Sequence, residues 1–468
     1  MDSAFRTYLA EAVGDSVADV VAGALTEPPS VSVRLNPYKI PGDAADEASR
    51  IFSMRCAPVP WSPGGAFLPG RPQFTLDPLM HSGCYYVQDS SAMFVGHVFR
   101  KVLRSMLESR RLSSGRAVRI LDLCAAPGGK TTDLAASARE LCGDGFVVVA
   151  NEIMKQRAAV LADNAGIWGD PAVVVTSADP GAFSSLPGYF DIIVADVPCS
   201  GEGMFRKDDE AVSQWSEDNV ALCQARQRRI VADVWPALAE NGVMIYSTCT
   251  FNRLENDRNV EWIAEELGAE VLPPDADGFE GLFKTACGIS LLPGKVRGEG
   301  QYCAALEKHS DSSSTVFRGG KKKRTLPVQI PSDVRKRVES WFSCPVDIAL
   351  KGDMLVAMTP AVSEEMEVLD VFRPLLRGTA AGQLKGKDVV PDADMALSLI
   401  LKRGVFQEVE LGLDEMLAFL HRDALTLPSA EKGLVLLTYG GHPCGFVKNL
   451  GNRCNSLHPQ HRRIRMDI

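Results

Sequence analysis

No apolar run in this chain approaches the ~18 residues of a membrane-spanning helix, and no two cysteines are spaced as Cys-x-x-Cys. The first absence argues against a helical membrane protein, and the second against thioredoxin-like redox chemistry. Net positive charge is also missing. Fifty Lys and Arg stand against 59 Asp and Glu, a balance of −9, so any polyanion site must be a local basic surface. The opening residues, MDSAFRTYLAEAV, lack the basic start and apolar stretch of a signal peptide. Twelve cysteines then read as reduced thiols of a cytoplasmic protein. The rest of the composition, 46% apolar and 23% charged over 468 residues, suits a globular chain of two or three domains.

The chain is organised around Val118–Thr131, VRILDLCAAPGGKT. An apolar run ends at Asp122, a small-residue loop follows from Cys124 through Ala125, Ala126, Pro127 and Gly128 to Gly129, and Lys130 and Thr131 open a helical pattern. Such a strand, Gly-rich turn and helix start lets a ligand approach the main chain closely. A P-loop would need a glycine where Cys124 stands, and the G-x-G-x-x-G register of a dinucleotide fold is absent. S-adenosylmethionine (SAM), which needs backbone contact but carries no phosphate, is the remaining candidate.

From 118 to about 250, strand patterns at 118–124, 145–151, 172–177, 190–197 and 242–249 alternate with helical ones. They predict a doubly wound, mainly parallel α/β sheet whose ligands sit beyond the carboxyl ends of its strands. Glu152 follows the second strand, 23 residues past Gly129, where an acid suits ribose hydroxyls. Asp179 follows the third and suits an adenine amino group. The fourth and fifth strands end in Asp196-Val197-Pro198-Cys199 and Ser247-Thr248-Cys249. Buried cysteines are usually inert, but these two fall in polar turns facing the expected site. Asn252 and Glu255 predict a capping box for the next helix, whose N-terminus would favour a thiolate.

A thiol beside SAM suits methylation of a poor nucleophile. Carbon 5 of cytosine attacks a methyl group only after a thiolate adds to carbon 6, and Asp196 stands where a carboxyl would meet charge at ring nitrogen 3. Methylation of an exocyclic amine needs no thiol and usually shows an Asn/Asp-Pro-Pro-aromatic strand end, which is absent here.

Before the loop, residues 3–25 read as one amphipathic helix, Val31–Pro37 as a strand carrying Arg34, 57–82 as a Pro- and Gly-rich connector, and Ser91–Leu107 as a helix. Arg34 is a candidate phosphate contact, set against a solvated or paired surface residue. His97 reads as a core or boundary residue. Residues 309–325, Ser-rich then basic, read as a linker. Beyond them a helix near 331–342 and strands near 346–350 and 354–358 begin a separate region. From Tyr439 onward five Lys/Arg and three His face one Asp, the pattern of a phosphate-tracking module. Cys444, Cys454, His458 and His461 do not match zinc spacing, so no metal is expected.

The motifs DLCAAPGGKTT, ANE at 150–152, DVPCSGEGMFRKD, YSTCTFNRLEN and LLPGKVRGEGQYCAALEK, with YYVQDSSAMF at 85–94, resemble those of the Sun-type RNA 5-methylcytosine methyltransferases, most closely the bacterial 16S ribosomal RNA branch. The resemblance implies a Rossmann-like SAM-dependent methyltransferase domain over 111–308, an N-terminal α+β RNA-binding extension over 1–110, and a C-terminal β-rich, PUA-like RNA-binding region within 326–468. It implies Cys249 as nucleophile, Cys199 as the cysteine assisting release of the adduct, Cys124–Lys130, Glu152, Asp179 and Asp196 as SAM contacts, and Asp196 and Lys130 facing the cytosine. Arg206 and Lys207 stand where the family keeps a basic pair near RNA, against a solvated helix start. The expected partner is ribosomal RNA or the small subunit, acted on by a monomer. Transfer RNA is the alternative substrate, and a non-catalytic RNA-binding assembly factor the alternative of another class.

Overall fold

A computed structural model describes residues 3–109, 111–112, 115–309 and 330–468. At its centre lies a ten-stranded sheet. Its parallel part runs in the spatial order 238–248, 190–196, 118–122, 146–151, 173–176, so the first strand in sequence is central and the winding reverses beside it. Phe146–Asn151 is buried throughout, and Phe190–Asp196 is buried up to its last residue. Helices cover both faces of such a sheet, which is why these strands read as continuous apolar runs. Four antiparallel strands, Ala269–Val271, Phe283–Lys284, Ile289–Leu291 and Gln301–Lys308, extend the sheet beyond Leu238–Thr248. The mainly parallel sheet expected is found: its five parallel strands surround the site, and antiparallel strands extend its flanks.

The N-terminal part is a four-stranded sheet, ordered 57–58, 65–68, 31–35, 85–87. Two sequence expectations change here. The single helix expected over 3–25 is two, Ser3–Val13 and Asp15–Ala24, because Gly14 adopts φ 81° between them. Residues 57–82 are not only connector, since Gly65–Leu68 is a buried strand paired with Val31–Leu35. Both N-terminal helices pack on the part built around the central sheet: Phe5 meets Trp215 edge-on at 5.5 Å and Phe205 at 5.2 Å, and Val21 joins the same cluster as Phe251 and Leu292.

The expected linker, 309–325, lies outside the described residues apart from His309. Beyond it, the chain returns to the central sheet. Leu376 and Arg377 pair with Val175 and Val174 and cover an edge that would otherwise be open. From the helix Pro360–Leu369, Glu365 accepts hydrogen bonds from Arg119 and Tyr189 beneath the sheet. The region read from the sequence as separate thus shares a strand pairing and hydrogen bonds with the central sheet. Two further four-stranded sheets follow, 347–391 and 407–456, the second carrying the hairpin Gly433–Tyr439 and His442–Asn449. Where they meet the part built around the central sheet, Gly169 (φ 85°) closes the helix Lys155–Trp168, and a Cβ there would stand 2.1 Å from the Leu397 carbonyl oxygen. No described helix is long and apolar enough to cross a membrane.

Candidate active site

The switch point of the winding brings the strand ends at Asp122 and Asp196 side by side. Asp122 is fully buried. Its Oδ2 accepts the Thr131 hydroxyl at 2.6 Å, while Oδ1 has no partner. Burial pushes its carboxyl up to about 7, with the nearby Asp196 adding to the effect. Between Asp122 and the helix Gly129–Cys142, the loop has a cis Ala126–Pro127 bond and Gly128 at φ 114°. Its carbonyls are tied down from outside: Ala126 O by Arg157 at 3.0 Å, Pro127 O by Asn164 at 2.8 Å and Tyr86 at 3.3 Å, and Gly129 O by Arg34 at 3.1 Å. Amide groups in the first turn of the following helix have no partner within it.

The Asp122 carboxyl makes a stability prediction. In the native state it holds a proton up to about pH 7, whereas unfolded it loses it near 3.9. The native state therefore binds more protons between those values, and wild-type stability falls as pH rises through that window. Asp122→Asn carries no such titration. Its stability relative to wild type should improve by about 2 kcal/mol between pH 5 and pH 8. Urea unfolding at both values measures this, and an unchanged difference would count against the assignment.

Asp196 sits among three donors. Lys130 Nζ lies 2.9 Å from Oδ2, while Ser247 Oγ at 2.7 Å and Gln301 Nε2 at 3.0 Å donate to Oδ1. Burial alone would lower the Lys130 ammonium, but Asp196 outweighs it and holds the group above its usual range. The Cys124 thiol is raised, first by burial and then by Asp196, Asp122 and Glu152, a measure of how closely these acids gather around it.

Cys199 and Cys249 stand at the ends of neighbouring parallel strands with their sulfurs 3.3 Å apart. The Cys199 thiol is raised well above its ordinary value by its hydrogen bond with Cys249 and by burial. The two sulfurs lie within hydrogen-bond distance, and either can be the donor. Each cysteine loop is braced by a buried carboxylate of the other. Glu202, three residues past Cys199, accepts the Phe251 amide at 2.6 Å and the Asn252 side chain at 2.8 Å. Glu255, six past Cys249, accepts the Ser200 amide at 3.0 Å and Gln227 at 2.7 Å. Burial raises Glu255 to about 7. Of the two bonds a capping box requires, only the Glu255 amide on Asn252 Oδ1 forms; the Asn252 side-chain amide, not its backbone N–H, donates to Glu255. The helix also starts only at Asp257 with Asn256 as its cap, so the pair shapes the cysteine loop instead of capping the helix.

Three family models match the chain. They are the 16S rRNA methyltransferase RsmB/F over residues 111–307, the N-terminal domain of 16S rRNA methyltransferase RsmF over 1–90, and the methyltransferase RsmF PUA domain over 406–464. The ribosomal RNA small subunit methyltransferase F of Serratia proteamaculans is 35% identical over 465 residues, covering 95% of this chain and 92% of that one. The chain belongs to the RsmF family. Its relative of the same name in Pectobacterium atrosepticum is 34% identical over 310 residues, a match spanning 63% of this chain and 59% of the relative. Among solved structures, a methyltransferase homologue from Pyrococcus horikoshii has the same central fold, with a TM-score of 0.51 at 22% identity over 66% of this chain and all of that one.

Within this RsmF-type chain, several residues read from the sequence stand differently. Glu152 is buried, not solvated, and binds the Met154 amide at 2.9 Å and Arg157 at 3.2 Å. Asp179 is exposed and caps the short helix Pro180–Ser185 through Gly181 N at 2.9 Å. Arg34 is neither a phosphate contact nor a solvated residue. It is 2% exposed, stacks over Trp168 at 4.6 Å and bonds Gln88, Thr132 and Gly129. The Arg206 side chain is likewise covered, held on Glu299 at 2.7 Å, while Lys207 is exposed. His97 is the boundary residue expected, bonded to Asp277. In the C-terminal tail Arg462 is sequestered by Asp163 and Asp394, so the basic surface there is smaller than its composition suggests. Among the described residues no cluster of three His, Cys, Asp or Glu is arranged to hold a metal ion.

Ser247, Gln301, Glu202 and Glu255 were not singled out as site residues from sequence. Aligning the two strand ends on their cysteines would set Tyr246 beside Asp196, but the parallel pairing adopts the next register, with Asp196 opposite Ser247, which only the folded sheet reveals.

Proposed function

We propose that this chain methylates carbon 5 of a cytosine in structured RNA, specifically 16S ribosomal RNA, using SAM. The single observation that carries the reading is the Cys199–Cys249 pair, 3.3 Å apart, beside the Lys130–Asp196 ion pair. The residues present suit SAM. The unpartnered, buried Asp122 Oδ1 and the buried Glu152 offer acceptors to its amino and ribose groups beside a loop whose backbone a ligand can approach. Cys124–Lys130, Glu152, Asp179 and Asp196 would hold it. When bound, SAM supplies an electrophilic methyl group.

The chain's own residues prepare carbon 5 to take that group. With the base splayed out of its stack, Cys249 adds through sulfur to carbon 6, and the ring electrons move toward carbon 5 and ring nitrogen 3. Lys130 and Asp196 hold a proton where nitrogen 3 takes up charge, and Ser247 and Gln301 fix the carboxylate. After methylation carbon 5 gives up its proton to solvent, the pair from that C–H bond forms the carbon 5–carbon 6 double bond, and the carbon 6–sulfur bond breaks with its electron pair returning to Cys249. The Cys199 thiol, already bonded to that sulfur, stabilises it as it leaves.

The test is transfer of tritiated methyl from SAM onto total RNA and small subunits from a strain lacking this gene. Label as 5-methylcytosine in 16S RNA is expected. Label confined to transfer RNA would keep the chemistry and change the substrate. No label on any RNA would leave a binding factor.

A further inference from the structure

Resting on that reading, we infer that Arg71 and Arg297 hold phosphates of the RNA strand beside the target cytosine, in a cleft between the N-terminal sheet and the catalytic part. The cleft encloses about 760 Å³. One wall is the N-terminal sheet, at Val31, Leu68 and Arg71; the other carries Lys207 and Arg297.

Its charge is unbalanced in a specific way. Of the two carboxylates near it, Glu299 is buried and Asp89 is partly buried, and both are already engaged. Glu299 accepts from Arg206 and Ser30, and Asp89 accepts the Ser91 and Glu299 amides with Lys207 at 3.7 Å. Arg71 and Arg297 are exposed, and among the described residues neither has an acidic partner. Both are instead fixed by uncharged groups. The Arg297 guanidinium lies 4.5 Å over the Phe67 ring and donates to Leu68 O at 2.7 Å; that of Arg71 lies 5.6 Å over Phe74. Stacking sets a guanidinium's plane while leaving N–H groups free, which suits a phosphate.

The cleft also adjoins the chemistry. Arg297 is four residues before Gln301, which binds Asp196, so it lies within about 14 Å of that residue along the chain. Lys207 belongs to the Cys199 loop, which is tied to the other cysteine by the Gly203 amide on Cys249 O at 2.7 Å. A strand whose base reaches Cys249 would run out along this cleft.

The test is binding of a fluorescent single-stranded oligoribonucleotide, alongside methyl transfer onto 16S RNA, by the full chain carrying Arg71→Ala, Arg297→Ala, or both. Arg104→Ala, an exposed arginine of the helix Met93–Glu108 outside the cleft, is the control. The double variant should bind at least about 10-fold more weakly, with a log–log salt slope reduced by about 1.4 for two lost contacts. KM for RNA should rise with kcat and SAM affinity unchanged. Equal weakening by Arg104→Ala, or an unchanged slope in the double variant, would overturn the assignment. If wild type methylates no RNA yet binding still depends on the two arginines, the cleft stands and the methylation reading falls.

Discussion

Cys249→Ala should abolish methyl transfer, by about 10⁴-fold or more, and give no protein–RNA adduct, while Cys199→Ala should accumulate one that survives denaturing electrophoresis. The two side chains have the same composition and lie 3.3 Å apart, so the asymmetry must come from their environments. Cys199 is the raised thiol, held protonated by its bond to the neighbouring sulfur and by burial. A thiol that keeps its proton is a poor nucleophile but a useful donor to a departing thiolate. Without it the carbon 6–sulfur bond still forms but breaks slowly, and the adduct builds up. Without Cys249 no bond forms, and carbon 5 stays too electron-poor to react. Radiolabelled RNA incubated with SAM and each variant gives both readouts in one gel. An adduct from Cys249→Ala and none from Cys199→Ala would reverse the roles.

The sheet and the cysteines could be read from sequence because both follow from local patterns. Runs such as Phe190–Asp196 are apolar on both faces, as covered parallel strands must be, and the two Cys motifs fall where those runs stop. What escaped depends on distant chain. Arg34 looked like a surface arginine because alternation along Val31–Leu35 fixes only which face it is on. That face is buried by Gln88, Thr132 and Trp168, between 54 and 134 residues away in sequence. Gln301 reaches Asp196 only because Gln301–Lys308 adds antiparallel to Leu238–Thr248, a pairing between strands more than fifty residues apart with a helix and three short strands between them. Arg206 and Lys207, adjacent in sequence, part company for the same reason: Glu299 takes one and leaves the other at the cleft. Glu202 and Glu255 are ordinary acids by composition. They become braces only once neighbouring strands set the two cysteine loops side by side.

Asp196→Asn should lower kcat by about 10³-fold and cost about 3 kcal/mol of stability, and the two effects should separate in a double variant. The substitution keeps shape and leaves Ser247 and Gln301 able to bond the side-chain oxygen. What it removes is the negative partner of Lys130, whose ammonium is mostly buried and rests on Asp196 at 2.9 Å. Taking one member of such a pair leaves an uncompensated charge, which is where the stability is lost. Adding Lys130→Gln removes that charge, so the double variant should recover most of the thermal stability. Activity should not return, because no proton is then held opposite ring nitrogen 3. Thermal unfolding, equilibrium binding of SAM and single-turnover methyl transfer separate the three quantities. A purely structural Asp196 would show activity recovering with stability in the double variant. A role in chemistry requires that the melting temperature return while the rate stays down.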